Sequence, residues 1–580
     1  MTSTSPFTRP LKRLLPIAAW LPNYRKSDFS GDLMAGVVVA IMLIPQGMAY
    51  AMLAGLPPQV GLYASVIPLI AYALFGSSKT LAVGPVAMVS LMVASSLSAI
   101  AVPGSPEYVG FALLLALMTG VLQLVMGVLK LGSIVNFLSH PVISGFTSAA
   151  AIVIGLSQFK HVLGVSIPGT EYPWQMAREL AFSLLDTSGA TLSLSLAAIA
   201  VLIAFRKALP PMLARLGVSQ TWRDAVARAG PLAVVVGGTL AVYALDLHQA
   251  HGVKIVGEIP QGLPSLTSPQ VSWEATQKLA PAALAIVFVG FMESVAIART
   301  LASKRRESVE PDQELFALGA ANVAASLTGG YPVTGGFSRS VVNFSAGART
   351  GLASILTAML IALTLLFLTP LFYLLPKAVL AAIILVAVVG LIDLKTLRLV
   401  WQYDRYDGVS LLLTFAAVFG LGVESGILIG AASAIALHLW RASRPHVAVV
   451  GRIAGSEHFR NEQRHQVETL PDVLFLRIDE NLFFANARKL GDLLINAVAQ
   501  RADIKHLVLV ASSINHIDAG SLEVLEDTAH KLHDAGVALH ISDLKGPVAD
   551  RLKRVEFEKH LGDGRIFLSA QHAWEALKDA

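Results

Sequence analysis

Apolar residues fall into blocks between residues 33 and 440, and short polar loops separate the blocks. A helix crosses the hydrocarbon core of a bilayer with about 20 residues, and most of the blocks approach that length. The pattern predicts fourteen membrane elements, of which the third and the tenth are half-length. The predicted elements cover residues 33–55, 60–75, 81–97, 109–129, 134–158, 192–205, 231–245, 281–301, 315–329, 334–346, 352–369, 371–391, 409–422 and 427–440.

The composition agrees with a chain that lies mostly in lipid. Hydrophobic residues make up 54% of the 580 residues, the mean hydropathy is +0.63, and charged residues are 14%, against about 25% in soluble domains. The net charge is +5, but the basic residues are spread over short loops, which argues against a nucleic-acid partner. The absence of cysteine excludes disulfides, thiolate metal sites and a cysteine nucleophile.

Lysine and arginine test this segmentation independently, because they accumulate in cytoplasmic loops. When the basic arm of residues 1–32 is placed in the cytoplasm, all seven even-numbered connections lie on the same side, and all seven contain basic residues. We therefore expect a multi-pass protein of the plasma (inner) membrane with both termini in the cytoplasm. The odd-numbered connections contain few basic residues, mainly Lys160, Arg178, Lys254, Lys278 and Lys377.

The two half-length elements occupy the same position in two successive groups of seven elements. Each is interrupted by glycine or proline, at Gly84-Pro85 in the first group and at Gly335-Gly336 in the second. Such segments in corresponding positions are typical of secondary transporters built from inverted repeats. The sequence predicts two repeats of opposite orientation, at 33–245 and 281–440, joined by an extracytoplasmic connection at 246–280.

The chain becomes polar and charged near its end, so residues 441–580 are predicted to form a cytoplasmic domain. Strands that alternate with helices indicate an α/β fold. The predicted strands cover 447–453, 473–478, 506–510 and 537–541, and the predicted helices cover 485–500, 521–534 and 548–555.

Glu293 is the first candidate for transport chemistry. It lies in the apolar run 283–298, where an ionised side chain costs at least about 2.5 kcal/mol and marks a functional site by default. A buried carboxyl at such a position is a candidate proton carrier. The alternative is a buried ion pair with no part in transport.

Arg339 lies close to the start of the tenth element, within the Gly-rich segment 329–344. A half-helix N-terminus at this position offers free N–H donors and a positive dipole end. A guanidinium adds paired donors that suit an oxyanion. Alternatively, Arg339 only neutralises Glu293 and the backbone binds the ligand. Both alternatives predict a site that selects anions.

The other candidates are expected to shape the anion cavity around these two residues. The third element has no charge, so its part would be backbone N–H groups at a second half-helix N-terminus. For Tyr50 and Ser340, packing is an equal alternative. The candidates that complete the predicted anion site are Gln46, Tyr50, Val86, Ala87, Gly335, Gly336, Phe337 and Ser338.

Five motifs, in this order and spacing, resemble the sulfate permease (SulP) family of anion transporters. They are residues 44–51 (IPQGMAYA), 61–65 (GLYAS), 83–87 (VGPVA), 293–299 (ESVAIAR) and 331–340 (YPVTGGFSRS). The resemblance implies a core domain and a gate domain formed by two inverted seven-element repeats, an anion between elements three and ten, and a homodimer. The element that contains Glu293 resembles that of proton-coupled sulfate transporters rather than that of relatives with a sodium site there.

The C-terminal domain resembles a STAS domain, which follows the membrane part in this family. Relatives related to anti-sigma-factor antagonists have a phosphorylatable Ser or Thr directly before a Gly in the loop that matches residues 514–522. Here that position is Gly520, followed by Ser521. A structural or dimerising role is therefore expected for this loop.

These features predict a secondary active transporter of a small inorganic oxyanion in the lipid bilayer, with no cofactor, no metal and no enzymatic activity. Proton-coupled sulfate uptake is the first choice, with the proton carried by Glu293. A carrier or exchanger of bicarbonate, dicarboxylate or chloride with the same fold is the alternative. A membrane-anchored signalling protein is a third hypothesis.

Overall fold

The computed structural model describes residues 15–133, 139–167, 173–220, 223, 226–227, 229–501 and 503–578. Part of the N-terminal arm and residues 134–138 of the fifth predicted segment lie outside the described residues. The chain forms two compact units, Met1–Ala434 and Ile435–Ala580. The first unit is helical, and the second combines a sheet with helices.

Each of the fourteen predicted membrane segments contains a helix. In the described first half, the α-helices of six or more residues are α1 (Lys26–Leu53), α2 (Pro58–Tyr63), α3 (Ile67–Phe75), α4 (Ala87–Ser98), α5 (Pro106–Val128), α6 (His140–Leu163), α7 (Pro173–Phe182), α8 (Gly189–Ile203), α9 (Leu209–Arg215) and α10 (Gly230–Ala244). The second half comprises α11 (Trp273–Ser303), α12 (Pro311–Leu327), α13 (Phe337–Ser345), α14 (Leu352–Leu363), α15 (Lys377–Val388), α16 (Leu394–Tyr403), α17 (Arg405–Leu421) and α18 (Val423–Ala442).

Several helices extend beyond the predicted apolar blocks because polar residues cap their ends. Helix α11 begins at Trp273, inside the predicted connection, where Ser272 accepts a hydrogen bond from the N–H of Ala275. Helix α16 lies in a predicted basic loop, where Asp393 accepts from the N–H of Thr396. Such caps satisfy N–H groups that the first helical turn leaves free, and hydropathy does not register them.

The membrane helices pack as two groups, which we call the core and the gate. In the core, α1–α5 pack with α11–α14, and in the gate, α6, α8, α10 and α15–α17 pack with one another. A close contact in the core joins α5 to α12 through Gly120 and Gly319, where an added Cβ would lie within 2.8 Å of backbone atoms on the other helix. Small residues at this crossing let the two backbones approach each other.

A two-stranded antiparallel ribbon joins the two repeats inside the core. Strand β1 (Val83–Gly84) pairs with β2 (Thr334–Gly335), with Val83 opposite Gly335 and Gly84 opposite Thr334. Helix α4 starts shortly after β1, and α13 starts shortly after β2. The ribbon therefore brings the starts of the two half-helices together.

The second unit contains a six-stranded sheet with the strand order β4-β3-β5-β6-β7-β8. Its strands are β3 (Val447–Arg452), β4 (Phe459–Asn461), β5 (Val473–Ile478), β6 (His506–Val510), β7 (Ala538–Ser542) and β8 (Ile566–Phe567). Its helices are α19 (Ala487–Ala499), α20 (Ala519–Asp534), α21 (Gly546–Arg554) and α22 (Ala570–Leu577). Strands β5 to β8 are parallel, and β3 pairs with β4 and β5 in the antiparallel direction.

The loop around Gly520 starts helix α20. Asp518 accepts hydrogen bonds from the backbone N–H of Ser521 at 2.8 Å and of Phe484 at 2.8 Å. The Ser521 side chain, followed by the backbone N–H groups of Ser521 and Phe484, holds the pKa of the Asp518 carboxyl below its usual value. The loop is therefore fixed by an acidic N-cap, as is common at helix starts.

Candidate anion site between the half-helices

A cavity of about 450 Å³ lies where the ribbon meets the gate. Nine of the ten predicted site residues line it, namely Gln46, Tyr50, Val86, Ala87, Glu293, Gly336, Phe337, Ser338 and Arg339. The gate contributes other lining residues from α8, α10 and α15, among them Leu202, Pro231 and Ile383. The cavity is thus bounded by both groups of helices.

Gly335 is the predicted site residue that does not line the cavity. It belongs to β2, and its N–H donates to Ser294 Oγ at 2.9 Å. A Cβ at this position would come within 2.7 Å of Leu81 Cδ1 and 2.9 Å of Ser294 Oγ. Gly335 therefore supports the close packing of the ribbon.

Arg339 is buried, with 2% of its surface exposed. Its Nη1 donates to the carbonyl oxygen of Pro85 at 2.6 Å, so the guanidinium reaches across the ribbon to the start of α4. Its Nε and Nη2 are buried and make no hydrogen bond to any described residue. A Cβ at Gly336 would lie 2.8 Å from Arg339 Nη2, so the glycine leaves room for the guanidinium.

Both half-helices begin without a side-chain cap. Val86 precedes α4 and Gly336 precedes α13, and both have extended backbones. Neither makes a side-chain hydrogen bond to the first turn in the described part of the chain. The N–H groups of a first turn have no partner within the helix. Together with the positive ends of the two helix dipoles, they form a backbone site suited to an anion.

Glu293 faces the same cavity from α11. Its Oε2 is buried and lacks a hydrogen-bond partner among the described residues, and the structure shows no ion pair between Glu293 and Arg339 there. A carboxylate and a guanidinium in one cavity of low polarity still interact over several ångströms. Both groups therefore have capacity left for a ligand or a proton.

Sequence reasoning missed the side chain that fixes Glu293 relative to the ribbon. Ser294 Oγ donates to Gly290 O at 2.7 Å and lies 2.7 Å from Thr334 Oγ1. Thr334 Oγ1 in turn donates to Gly290 O at 2.7 Å. A serine beside an intramembrane acid was the available signal, because hydroxyls in membrane helices usually bond across helices.

Asn322 is a second supporting residue that the sequence reasoning missed. It is fully buried in α12, and its amide brackets Val333, accepting from the Val333 N–H at 2.7 Å and donating to Val333 O at 3.0 Å. It also donates to Gln123 Oε1 at 2.9 Å. The sequence signal was a lone amide in an apolar run. Ser340 has a similar part, since its Oγ accepts from the N–H of Ala82 at 2.9 Å.

Arg206 is a third residue outside the predicted set, and it lines the cavity from the gate. It lies in a π-helical turn, Ala204–Ala208, directly after α8. Isolated π turns within helices occur frequently at functional sites. The sequence alone assigned Arg206 to a basic loop, since hydropathy does not show which loop residues turn into a cavity.

Comparisons with known proteins identify the family. The model described as the Sulfate permease family matches residues 29–414, and the STAS domain model matches residues 464–573. "Sulfate transporter 4.1, chloroplastic" of Arabidopsis thaliana is 37% identical over 543 residues, which cover 91% of this chain and 77% of the relative. "High affinity sulfate transporter 2" of Stylosanthes hamata is 32% identical over 582 residues, covering 98% and 87%.

Solved structures show the same fold. The murine Solute Carrier 26 family member A9 anion transporter, in the inward-facing state, superposes with a TM-score of 0.90 at 24% identity, covering 100% of this chain and 96% of that chain. The transmembrane domain of the cyanobacterium bicarbonate transporter BicA superposes with a TM-score of 0.59 at 23% identity, covering 71% and 98%.

The predicted fold class is confirmed, with fourteen membrane elements in two inverted repeats, two half-helices and a C-terminal STAS domain. In the part of the chain that the structure describes, nine helices are long and apolar enough to cross a membrane. The predicted resemblance is confirmed as well, because the family model matches well over half of the chain. The chain belongs to the sulfate permease family and is a multi-pass membrane transporter rather than an enzyme.

Proposed function

We propose that this protein is a proton-coupled sulfate transporter that binds its anion between the starts of α4 and α13. One observation supports the proposal: within the described part of the chain, buried Arg339 keeps two nitrogens without hydrogen-bond partners beside two half-helices that have no side-chain cap. The curated relatives described above are named sulfate transporters, which supports sulfate as the anion. The coupling ion is a proton, and no cofactor or metal takes part.

Anion binding uses the two kinds of donor that the cavity offers. Backbone N–H groups of the first turns at Ala87 and Phe337 donate to the oxygens of the anion. Arg339 supplies the full positive charge and donates from Nε and Nη2, while Nη1 stays bonded to Pro85. Charge-assisted bonds of this kind are about twice as strong as neutral ones, so the site favours a charged oxyanion over a neutral ligand.

Proton coupling follows from the charges in the cavity. Sulfate carries two negative charges and Arg339 carries one positive charge, so an ionised Glu293 beside them adds like-charge repulsion at low polarity. Protonation of Glu293 removes that repulsion, and the anion and the proton then bind together. Once the anion has left, the ionised Glu293 and Arg339 compensate each other while the empty carrier returns.

Movement of the core against the gate would expose the site on alternate sides. The anion site belongs to the core, whereas Arg206, Pro231 and Leu391 line the same cavity from the gate. These three residues lie near the ends of helices that adjoin the basic, even-numbered connections. With those connections in the cytoplasm, the cavity faces inward and Arg206 lies on the exit path of the anion.

The cellular setting proposed from the sequence is the plasma (inner) membrane, with both termini in the cytoplasm and a homodimeric assembly. The STAS domain then lies in the cytoplasm, where the Asp518-capped loop at Gly520 has a structural or dimerising role. Gly520 and Ser521 do not reproduce the order of a phosphorylatable residue before a glycine.

An anion panel tests the proposal on purified protein in liposomes. Labelled sulfate uptake is measured with and without an inward proton gradient, and bicarbonate, oxalate, succinate and chloride are added in turn as competitors. We expect uptake that the gradient accelerates and that unlabelled sulfate suppresses most strongly. Uptake that is independent of the proton gradient would instead support the alternative carrier or exchanger. Competition by bicarbonate, a dicarboxylate or chloride that is stronger than competition by unlabelled sulfate would support it as well.

A further inference from the structure

Three lysines from distant parts of the chain lie together at one end of the gate. Lys160 is in the last turn of α6, Lys254 lies in the segment after α10, and Lys377 is the first residue of α15. All three belong to odd-numbered connections or their borders, which contain few basic residues. We call these three residues the outer lysine cluster.

The backbone fixes two of these lysines side by side. The N–H of Lys377 donates to the carbonyl oxygen of Lys254 at 2.9 Å, and the neighbouring residues Ile255 and Pro376 form an antiparallel bridge. Lys254 and Lys377 therefore occupy adjacent positions on two antiparallel segments. Like charges in such positions destabilise the pairing.

The end of α6 completes the cluster. The Lys254 ammonium donates to Ser166 Oγ at 2.9 Å, shortly after α6 ends at Leu163. Lys160, in the last turn of that helix, is close enough to interact electrostatically with Lys254. All three lysine charges also act on His161, so they converge on one small region of the gate.

Local stability does not account for this arrangement. A lysine near a helix C-terminus, such as Lys160, is favoured by the helix dipole, but Lys377 lies at the N-terminus of α15, where a cation is disfavoured. Among the described residues, no carboxylate forms an ion pair with any of the three ammonium groups. The described residues thus leave the positive charge of the cluster without an ion-pair partner, and a bound anion would compensate it.

We propose that Lys160, Lys254 and Lys377 form a second anion site, which collects a small divalent oxyanion such as sulfate on the face where it enters. The inference rests on the proposed sulfate transport and on the orientation that places odd-numbered connections outside the cell. Clustered positive charge raises the local concentration of an oppositely charged substrate and its rate of association, and salt weakens the effect. The site acts before Arg339 does.

Charge-neutralising substitutions test this site in liposomes of neutral phosphatidylcholine that contain the protein in one orientation. The double variant Lys254→Gln/Lys377→Gln is expected to raise KM for sulfate from the outer face by about tenfold at low salt, with an unchanged maximal rate. High salt should remove most of the difference. Lys254→Arg/Lys377→Arg keeps the charges and should behave like the wild type, which separates charge from folding.

Lys278→Gln is the matched control, because Lys278 also adjoins an odd-numbered connection but is paired with Glu274 at 2.7 Å. It should leave KM unchanged. An unchanged KM in the Lys254→Gln/Lys377→Gln variant, or an equal rise for uptake from the opposite face, would overturn the proposal. If the wild type does not transport sulfate at all, the proposed function fails instead, so the two failures are distinguishable.

A lipid phosphate is the other source of an oxyanion at this membrane surface. Binding of spin-labelled phosphatidylglycerol to the wild type and to the Lys254→Gln/Lys377→Gln variant separates the two sources. If the substitutions reduce binding of this lipid while KM for sulfate in neutral liposomes stays unchanged, the cluster is a lipid site and the proposal is wrong. We expect KM to change in neutral liposomes, where no anionic lipid is present.

Discussion

Arg339 Nη1 donates to the carbonyl oxygen of Pro85 at 2.6 Å, and this bond links the half-helix of the second repeat to that of the first. The bond holds the guanidinium between the starts of α4 and α13, while Nε and Nη2 have no hydrogen-bond partner among the residues that the structure describes. In the function proposed above, Arg339 is both a structural tie between the half-helices and a donor to the anion. Substitutions at Arg339 should therefore distinguish the effect of its positive charge on anion binding from the effect of its hydrogen-bond geometry.

Arg339→Lys keeps the charge but loses the planar set of donors. We expect it to weaken sulfate binding by about 10- to 100-fold, because one or two charge-assisted hydrogen bonds are lost. Arg339→Gln should abolish measurable binding. Calorimetric titration of the detergent-solubilised protein with sulfate measures both effects. Arg299→Lys, at an exposed position of α11, is the control, and equal affinities in Arg339→Lys and wild type would contradict the assigned role.

Gly335→Ala tests whether the ribbon positions the anion site. The added Cβ would lie 2.7 Å from Leu81 Cδ1 and 2.9 Å from Ser294 Oγ, so the ribbon must shift at a cost of about 1–3 kcal/mol. We expect a large loss of sulfate uptake together with a lower melting temperature. Gly110→Ala, in α5, adds a Cβ that meets no atom of the described residues within 4 Å, and this variant should match the wild type. Wild-type uptake by Gly335→Ala would mean that the ribbon tolerates movement.

Asn322→Ala removes the side-chain amide that hydrogen-bonds to both the N–H and the carbonyl oxygen of Val333, directly before β2. The substitution leaves the buried N–H of Val333 without a partner, which costs about 1–3 kcal/mol. Thermal unfolding in detergent should show a lower melting temperature, and sulfate should bind more weakly because β2 is less well held. Thr300→Ala, at an exposed position of α11, serves as the comparison. An unchanged melting temperature for Asn322→Ala would show that the two hydrogen bonds to Val333 are not needed for stability.

We expect His540 to make the STAS domain sensitive to acid. Its Nδ1 accepts from the backbone N–H of Arg565 at 3.0 Å, and its Nε2 lies 3.1 Å from His506 Nδ1. Burial, followed by the nearby charges of His506 and Arg565, lowers the pKa of His540 from 6.5 to about 4. Because the folded pKa is depressed, the stability contributed by neutral His540 is complete above pH 6.5 and is lost as the pH falls towards 4.

The rate of amide hydrogen exchange in strand β7 of the full-length protein measures this loss of stability. We expect protection to decrease between pH 6.5 and 4 beyond the intrinsic dependence of exchange on pH. His540→Gln should remove most of this extra dependence, whereas His572→Gln, in α22, should retain it. Equal pH profiles for the wild type and His540→Gln would show that another group is responsible.

The sequence was sufficient for the elements that depend on hydropathy and period. Strands β5 and β6 have the predicted bounds, because alternating or continuous apolar runs end there at polar residues. Strands β4 and β8 were missed, since three and two residues are too few to establish a period. Helix α16 was missed because it buries none of its residues and its start is marked by the Asp393 cap, which hydropathy does not register.

At the candidate site, the sequence predicted which residues take part better than it predicted the contacts that they make. A glutamate in an apolar run and an arginine in a Gly-rich break could be selected because a charged side chain in the membrane has a high free-energy cost. The tie from Arg339 to Pro85 could not, because it depends on the pairing of β1 with β2 across about 250 residues of chain. The convergence of Lys254 and Lys377 depends in the same way on long-range packing.

Glu293→Gln gives the most direct test of proton-coupled transport, because glutamine resembles the protonated acid and cannot release a proton. In proteoliposomes, the variant should still exchange external labelled sulfate for internal sulfate, since the proposed anion site at Arg339 remains. It should lose the acceleration of net uptake by an inward proton gradient. Glu310→Gln, at an exposed carboxyl outside the cavity, should keep that acceleration. Gradient-driven uptake by Glu293→Gln at the wild-type rate would contradict the account.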